Sequence, residues 1–315
     1  MKKQKSISIK DNPNFGTFIA LVLLVIIVSV LNSRFLQISN LMNLLRQLII
    51  NGFIALGMSY VILTGGIDLS VGSTLAFTSA IFAGLMQNGM NAILAILISL
   101  VLGAFLGFIN GLFITKGKLA PFIVTLATMT IYRGATLVYT DGRPIAGKRD
   151  DFLFAFLGRG KVFGIPFQVI LFIIFFIILI IILKKTAFGR KVYAVGGNEK
   201  ASFISGINID KVKIYVYTIS GILATISGLV LTSRLNSAQP TAGSSYEMDA
   251  IAAVVLGGTS MTGGSGSLVG TLIGILILGV LNNGLNLLGV SSFYQQIVKG
   301  VVILLAVLVD RKRSK

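Results

Sequence analysis

Long apolar runs dominate this chain and limit what it can fold into. Each run holds about twenty residues with almost no charge, the length that an α-helix needs to cross a bilayer. The first run, from Phe15, has no small-residue cleavage site after it, so we interpret it as a retained span rather than a signal peptide. We place about ten spans, roughly at 15–32, 44–63, 70–87, 92–115, 121–140, 165–183, 213–234, 248–262, 267–288 and 293–309.

Composition indicates one transmembrane domain that covers residues 1–315. Apolar residues make up 55% of the chain and charged residues 12%, against about 25% charged residues in an average soluble domain. The expected fold class is an all-α polytopic membrane protein. Two very short Gly-rich connections, between spans two and three and between spans eight and nine, predict broken or re-entrant segments within the membrane's depth.

The same composition disfavours several classes of function. The chain has no cysteine and no histidine, which excludes thiol chemistry and disfavours a metal site or a Ser-His triad. We therefore expect no catalytic residues, no metal and no cofactor in this chain, and no enzyme activity of its own. The net charge of +17 does not indicate nucleic acid, because the basic residues flank apolar runs, as contact with lipid head groups requires.

Basic residues also predict the orientation of the spans. Lysines precede the first span, basic residues follow the last, and the polar stretch 184–213 after six spans is strongly basic. An even number of spans puts these three regions on one side, which the positive-inside rule makes cytoplasmic. We expect a multi-pass protein of the cytoplasmic (inner) membrane with both termini in the cytoplasm. The outer loop 141–164 is an exception, since it contains Arg143, Lys148, Arg149, Arg159 and Lys161.

The polar stretch 184–213 carries signals for a short helix. Asn198 is a suitable N-cap, and Glu199 would lie at the positive end of the helix. Gly206 suits the C′ position, while Gly196 and Gly197 allow a tight turn before the helix. These signals predict a helix over 198–205.

Two interpretations of this helix stay open on the residues alone. It is either part of a basic loop that fixes topology, or a docking helix for a soluble partner. The docking interpretation is favoured by the apolar side chains of this helix, which ends at Ser205. Ala201 and Ile204 fall on one side of the helix, and Phe203 projects beside them. Exposed apolar side chains on a small helix suit an apolar cleft better than solvent.

Asp68 is an isolated acid in the stretch LTGGIDLSVGS at 63–73. An ionisable group at membrane depth costs about 2.5–3.5 kcal/mol on insertion scales, so it has either a partner or a role. One hypothesis is that Asp68 caps the next helix through the backbone N–H of Ser70 or Val71. The other is that it forms a substrate or ion site on a translocation path.

A second Gly-rich stretch, Gly257–Gly270, reads GGTSMTGGSGSLVG. It lacks the G-x-x-x-x-G-K-[ST] pattern of a phosphate-binding loop, so we predict a broken helix or a tight interhelical turn. Small residues at every fourth position also predict close helix packing, and they are compatible with a dimer. They occur at Gly103, Gly107 and Gly111, at Ser220, Ala224 and Gly228, and at Gly270 and Gly274.

Amides and hydroxyls in otherwise apolar regions are candidates for a path. Asn282 and Asn286 share one face of a predicted helix, with Asn283 between them, and Asn110 is a weaker case. Such amides serve either interhelical hydrogen bonding or the neutral wall of a permeation path. The polar turn after the seventh span, with Gln239 and Tyr246, is a candidate outer vestibule for hydroxylated solutes.

Several long motifs resemble the permease subunit of sugar ABC importers. They are ILTGGIDLSVGS at 62–73, TLATMTIYRGATLVYTDGRPI at 125–145, YAVGGNEKASFISGI at 193–207, LNSAQPTAGSSYEMDAIAAVVLGGTSMTGGSG at 235–266 and NNGLNLLGVSSFYQQIVKGVVILLAVLVD at 282–310. The resemblance, closest to ribose permeases, covers nearly the whole chain from Phe35. It implies import of ribose or a related monosaccharide, and it identifies the segment 196–207 with the coupling helix of that family.

The same resemblance implies the partners. They are a second copy of the permease, a sugar-binding protein outside, and a cytoplasmic ABC ATPase that binds ATP and Mg²⁺. The substrate alternatives are another small solute, such as xylose, galactose or an autoinducer-type sugar. A different class of function is an ion-coupled secondary transporter that uses Asp68.

Overall fold

Two long helices form the centre of the helical bundle. Helix α2 (Ile38–Leu63) and helix α10 (Ile209–Leu235) are buried along most of their length and pack against each other. Helix α10 also packs against α3 (Val71–Gln87) and α4 (Ala92–Thr115). These contacts come from a computed structural model that describes residues 15–313, so the lysines before the first span lie outside the described residues.

Further apolar helices surround this centre. They are α1 (Phe15–Leu31), α5 (Pro121–Thr140), α7 (Phe167–Lys185), α12 (Leu268–Leu287) and α13 (Ser292–Arg313). Their outward faces expose large apolar side chains, as lipid-facing helices do. In the described part of the chain, α2, α4, α5, α7, α10 and α12 are long and apolar enough to cross a membrane. The expected all-α polytopic fold is therefore confirmed.

The predicted span 248–262 differs from the structure. Helix α11 (Tyr246–Leu256) has 11 residues, about 16 Å at 1.5 Å per residue, which is too short for a hydrocarbon core of about 30 Å. It ends at Gly257, and Gly258 takes a φ of +83°, so residues 257–267 form a turn rather than the end of a span. Before α11, residues 239–245 form turns without helical structure.

Several short elements were not predicted from the sequence. Helix α6 (Phe152–Arg159) closes one end of the bundle, and its Phe154 stacks on Phe82 with ring centroids 5.6 Å apart. Two-residue strands accompany it: β1 (Ile145–Ala146) pairs antiparallel with β4 (Ser237–Ala238), and β2 (Lys161–Val162) pairs antiparallel with β3 (Ile165–Pro166). A single turn of 3₁₀ helix covers Ser33–Leu36.

The opposite end of the bundle carries two helices in the basic stretch, α8 (Ala187–Gly197) and α9 (Glu199–Ile204). We refer to the two ends as the α9 end and the α6 end. The exposed ion pair between Lys116, after α4, and Asp210, at the start of α10, shows that both helices have these ends at the α9 end. Helix α1 begins and α13 ends at this same end.

The predicted small-residue stripes lie where helices approach closely. A Cβ added at Gly103 would collide with Thr225, one at Gly107 with the carbonyl oxygen of Tyr217, and one at Gly111 with the backbone of Ile214. Helices α4 and α10 therefore touch along their backbones, as small residues at this spacing allow.

This contact makes a testable prediction about stability. We expect Gly107→Ala to destabilise the protein by about 1–3 kcal/mol, the usual cost of overpacking, because a backbone carbonyl cannot move aside. Thermal unfolding of the detergent-solubilised protein measures the change.

Gly300→Ala is the matched control. Gly300 also lies inside a helix, α13, but its added Cβ meets nothing within 4 Å, so this change should leave the melting temperature unchanged or raise it slightly. Equal destabilisation by both changes would contradict the prediction.

Candidate functional site

Helix α9 has the caps that its sequence predicts. The side chain of Asn198 accepts a hydrogen bond from the Ala201 N–H at 2.9 Å. At the other end, Gly206 has a φ of +77° and donates to the Phe203 carbonyl, while Ile207 donates to the Ser202 carbonyl, both at 3.0 Å. This pair of bonds is a Schellman motif, which ends the helix.

The surface of α9 is apolar and unusually exposed. Phe203 is 72% exposed and Ile204 is 84% exposed, while Ser202 is buried against the bundle. The helix is held by an ion pair of 2.8 Å between Glu199 and Lys213 of α10. Helix α9 therefore presents two large apolar side chains outward from an anchored position.

Gly196 and Gly197 do not form the predicted tight turn, because they are the last residues of α8. Glycine at position 196 is required for a different reason. An added Cβ there would collide with the Leu63 carbonyl oxygen at the end of α2, and would also approach the Gly264 nitrogen at 2.6 Å. No atom lies within 4 Å of a Cβ added at Gly197.

Three backbone segments thus meet at the α9 end, and we call this contact the glycine junction: residues 63–66, 196–197 and 263–264. The Gly264 N–H donates to the Leu63 carbonyl at 3.0 Å, which joins the two Gly-rich loops directly. The Tyr193 hydroxyl of α8 donates to the Gly266 carbonyl at 2.9 Å. Burial raises the pKa of Tyr193, so this hydroxyl keeps its proton. Helix α8, which leads directly into α9, therefore touches both loops.

The buried Asp68 carboxylate has hydrogen-bond donors on both of its oxygens. Its side chain is 1% exposed; one carboxylate oxygen accepts the Ser70 N–H at 3.0 Å and the Ser70 hydroxyl at 2.6 Å. The other oxygen accepts the Ser220 hydroxyl of α10 at 2.8 Å. The capping hypothesis predicts the bond to the Ser70 N–H, but Asp68 is not the N-cap, because helix α3 begins at Val71 and its N-cap is Ser70. The carboxylate instead holds the turn that leads into the helix.

A partly open cavity of about 420 Å³, with a mixed polar and apolar lining, lies in the α6-end half of the bundle between α2, α10, α11, α12 and α13. Three predicted residues line it together: Asn282 and Asn286 of α12, and Tyr246 at the start of α11. The Asn286 side-chain oxygen accepts a hydrogen bond from Gln295 of α13 at 2.8 Å. The size and polarity suit a small polar molecule.

The other predicted path residues lie elsewhere. Asn283 points away from this cavity, because its amide exchanges two hydrogen bonds, of 2.9 and 3.0 Å, with Asn40 of α2 and so serves helix packing. Asn110 belongs to the Asp68 cluster, where it donates to the Ser70 hydroxyl at 2.8 Å. The Gln239 side chain donates a hydrogen bond to the Ser237 hydroxyl of β4. Gln239 therefore does not line the cavity, whereas Tyr246 does.

Sequence reasoning missed an ion pair in the cavity wall. Lys299 of α13 lies 2.9 Å from Asp249 of α11, with side chains 27% and 12% exposed, and Asn51 of α2 donates to the same carboxylate at 3.3 Å. Arg234 lines the cavity as well. The signal was present in the sequence, since Asp249 and Lys299 are lone charges inside two predicted apolar spans.

We expect Lys299→Met to destabilise the protein by about 3 kcal/mol. This is the lower end of the range for a buried pair that loses one partner, since Lys299 keeps some exposure and Asp249 would remain without a cation. Thermal unfolding in detergent measures the loss.

Two companion variants make this result specific. Adding Asp249→Asn to Lys299→Met removes the uncompensated charge and should recover most of the lost stability. Lys161→Met, at an exposed lysine of the β2–β3 hairpin, should have no effect. A double variant less stable than Lys299→Met alone would show that the pair is not what stabilises this wall.

Comparison with known proteins agrees with this architecture. Residues 40–307 match the family model described as "Branched-chain amino acid transport system / permease component". The chain is 62% identical to the ribose import permease protein RbsC of Bacillus subtilis (strain 168), over 95% of this chain and 93% of that protein. It is 53% identical to RbsC of Escherichia coli (strain K12), over 95% and 94%, respectively.

A more distant relative is the D-allose transport system permease protein AlsC of Escherichia coli (strain K12), 41% identical over 96% of this chain and 92% of that protein. No solved structure matches the chain. The family match covers most of the chain and includes both Gly-rich loops, α8, α9 and the cavity. This chain is therefore a multi-pass membrane protein that belongs to the family of permease components of branched-chain amino acid transport systems.

Proposed function

We propose that this chain is the transmembrane permease subunit of an ATP-driven ABC importer for ribose or a related monosaccharide. Helix α9 is the observation that carries the proposal. A helix of six residues is not stable in isolation, and its exposed Phe203 and Ile204 suit the groove of a partner. The identity to ribose import permeases over 95% of the chain supports the substrate class.

The partner at α9 is a cytoplasmic ABC ATPase. The chain itself contains no G-x-x-x-x-G-K-[ST] motif, so ATP and Mg²⁺ bind to that partner and hydrolysis occurs there. A sugar-binding protein delivers the substrate on the other side of the membrane. The permease catalyses no chemical step.

We place the α9 end in the cytoplasm. The loops and short helices at this end carry Lys116 and Lys118 as well as most of the basic stretch 184–213, which the positive-inside rule assigns to the cytoplasm. The described chain begins and ends there too. The α6 end, with its short strands, then faces the binding protein.

We also propose that the working permease is a homodimer. Helix α5 exposes Thr130 and Gly134 near the middle of an apolar helix, beside the half-buried Arg133. Arg133 donates to the carbonyls of Pro240 and Ala242 at 2.6 and 2.9 Å, in the non-helical segment before α11. Polar groups and irregular backbone at this depth need cover by protein or a water-filled path. A second copy packed on this face covers both the polar groups of α5 and the irregular backbone before α11.

The glycine junction supports a route for coupling. ATP binding draws two ATPase subunits together and displaces the docked α9 helices. Because Gly196 touches Leu63 and Gly264 backbone to backbone, a shift of α8 and α9 must move both Gly-rich loops. Those loops lead into α3 and α12, and the latter carries the proposed path residues Asn282 and Asn286.

Uptake by reconstituted protein tests the proposal. Liposomes that contain the permease, its ATPase and its binding protein should accumulate ribose only when ATP is present. Relatives named for D-allose, at 41% identity, and for xylose, at 34%, make these sugars the first competitors to compare, followed by galactose and autoinducer-type sugars. Uptake of none of these sugars would overturn the proposal.

Asp68→Asn separates this mechanism from an ion-coupled transporter. The asparagine oxygen can still accept the Ser70 hydrogen bonds, and its NH2 group can donate to the Ser220 hydroxyl, whose oxygen is able to accept. We expect ATP-driven ribose uptake to stay within about threefold of the unchanged protein, a loss of under 1 kcal/mol. Abolished uptake by a folded Asp68→Asn protein would favour ion coupling at this carboxylate.

Docking is tested by Phe203→Asp and Ile204→Asp. A charge in an apolar interface at a central anchor costs about 2–4 kcal/mol of binding free energy, so ATPase association should weaken by about 30-fold or more. Pull-down of the ATPase with the solubilised permease measures this association.

Phe163→Asp is the matched control, because Phe163 is fully exposed at the α6 end. It should leave ATPase association unchanged. If Phe203→Asp and Ile204→Asp also leave it unchanged, α9 is only a connecting loop and the ATPase docks elsewhere.

A further inference from the structure

We propose that the cavity among α2, α10, α11, α12 and α13 is a binding site for one neutral monosaccharide during its passage. The inference rests on the proposed function, and it adds a site within a single protomer. The cavity measures about 420 Å³, within the range of about 300–1,000 Å³ that small-molecule sites occupy. It lies beyond the short strands of the α6 end, where sugar would arrive.

Two residues that line this cavity carry acceptors without a donor. The side-chain oxygens of Asn51 on α2 and Asn282 on α12 are buried without a hydrogen-bond partner among the described residues. A buried acceptor without a donor is destabilising, so such groups are normally paired. Asn283, one residue along α12, is fully paired with Asn40. Hydroxyl groups of a sugar are donors that would satisfy Asn51 and Asn282.

The charged groups of the wall offer donors to a hydroxylated ligand. Lys299 and Asp249 form an ion pair at 2.9 Å, and an ammonium group retains further donors for sugar oxygens. Arg234 adds a donor group at the end of α10, where it bonds the Arg46 carbonyl at 3.4 Å.

Apolar surface completes the site. The ring of Tyr246 and the side chains of Leu48 and Leu278 line the same cavity. A sugar has C–H faces beside its hydroxyls, and an aromatic ring with nearby aliphatic side chains offers them a large contact area. A cavity lining that combines hydrogen-bond acceptors, donors and apolar surface suits a monosaccharide.

Cysteine protection provides a direct test, because the chain contains no cysteine. Leu235 lines the cavity and is 51% exposed, so Leu235→Cys places one thiol at its rim without removing a polar group. The permease–ATPase complex in lipid nanodiscs is treated with a small maleimide at increasing ribose concentration. Ribose should slow labelling of Leu235→Cys to a low plateau. It should not slow labelling of Leu153→Cys, a matched change on the exposed face of α6.

Variants of the two acceptors then test the assignment. In the Leu235→Cys background, Asn51→Leu and Asn282→Leu should each raise the ribose concentration for half-protection by about tenfold. Asn43→Leu, two turns earlier on α2 and outside the cavity lining, should not change it. If one acceptor variant fails to fold, the other still decides the outcome.

The outcomes separate this inference from the proposed function. Absent protection in a complex that imports ribose with its binding protein would overturn the site and leave the function intact. Protection by ribose 5-phosphate but not by ribose would overturn the neutral ligand. Failure of the complete system to import any sugar would instead overturn the proposed function.

Discussion

Backbone-to-backbone contact between glycines is the constraint on which the rest of this protein depends. Leu63, Gly196 and Gly264 approach so closely that no side chain fits between their segments. The Gly264 N–H bonds the Leu63 carbonyl, which satisfies two polar backbone groups at a position where lipid could not. Without this contact, neither Gly-rich loop could end its helix inside the bundle, and α8 would lose the surface on which it rests. One cluster of glycines thus connects the surface of the bundle to its interior.

The parts of the fold that were predicted well from the sequence are those determined by local signals. Asn198 and Gly206 are caps whose geometry depends only on nearby residues, so the bounds of α9 followed from them. The same holds for long apolar runs, whose length is read directly from the chain. Helix α8 was missed because Gly196 and Gly197 favour a turn locally. Packing against Leu63 overrides that preference, and such a contact between distant residues has no local signature.

In the candidate sites, too, local spacing predicts some features, while others depend on contacts between distant residues. Asn282 and Asn286 share a helix face, and spacing alone placed them together on the cavity. Spacing could not separate Asn283, whose partner Asn40 lies on another helix. The cavity itself is built from five helices, so its shape depends on how they cross. Asp249 and Lys299 were visible as lone charges, but only the structure pairs them.

That ion pair also bears on how the protein enters the membrane. Helix α13 packs chiefly against α11, and a lysine at depth costs about 2.5–3.5 kcal/mol when a helix inserts alone. The Asp249 carboxylate, fifty residues earlier in the chain, supplies the partner that this lysine needs. A chain truncated before α13 would leave Asp249 without its cation, so α11 and α13 depend on each other to place their charges within the bundle.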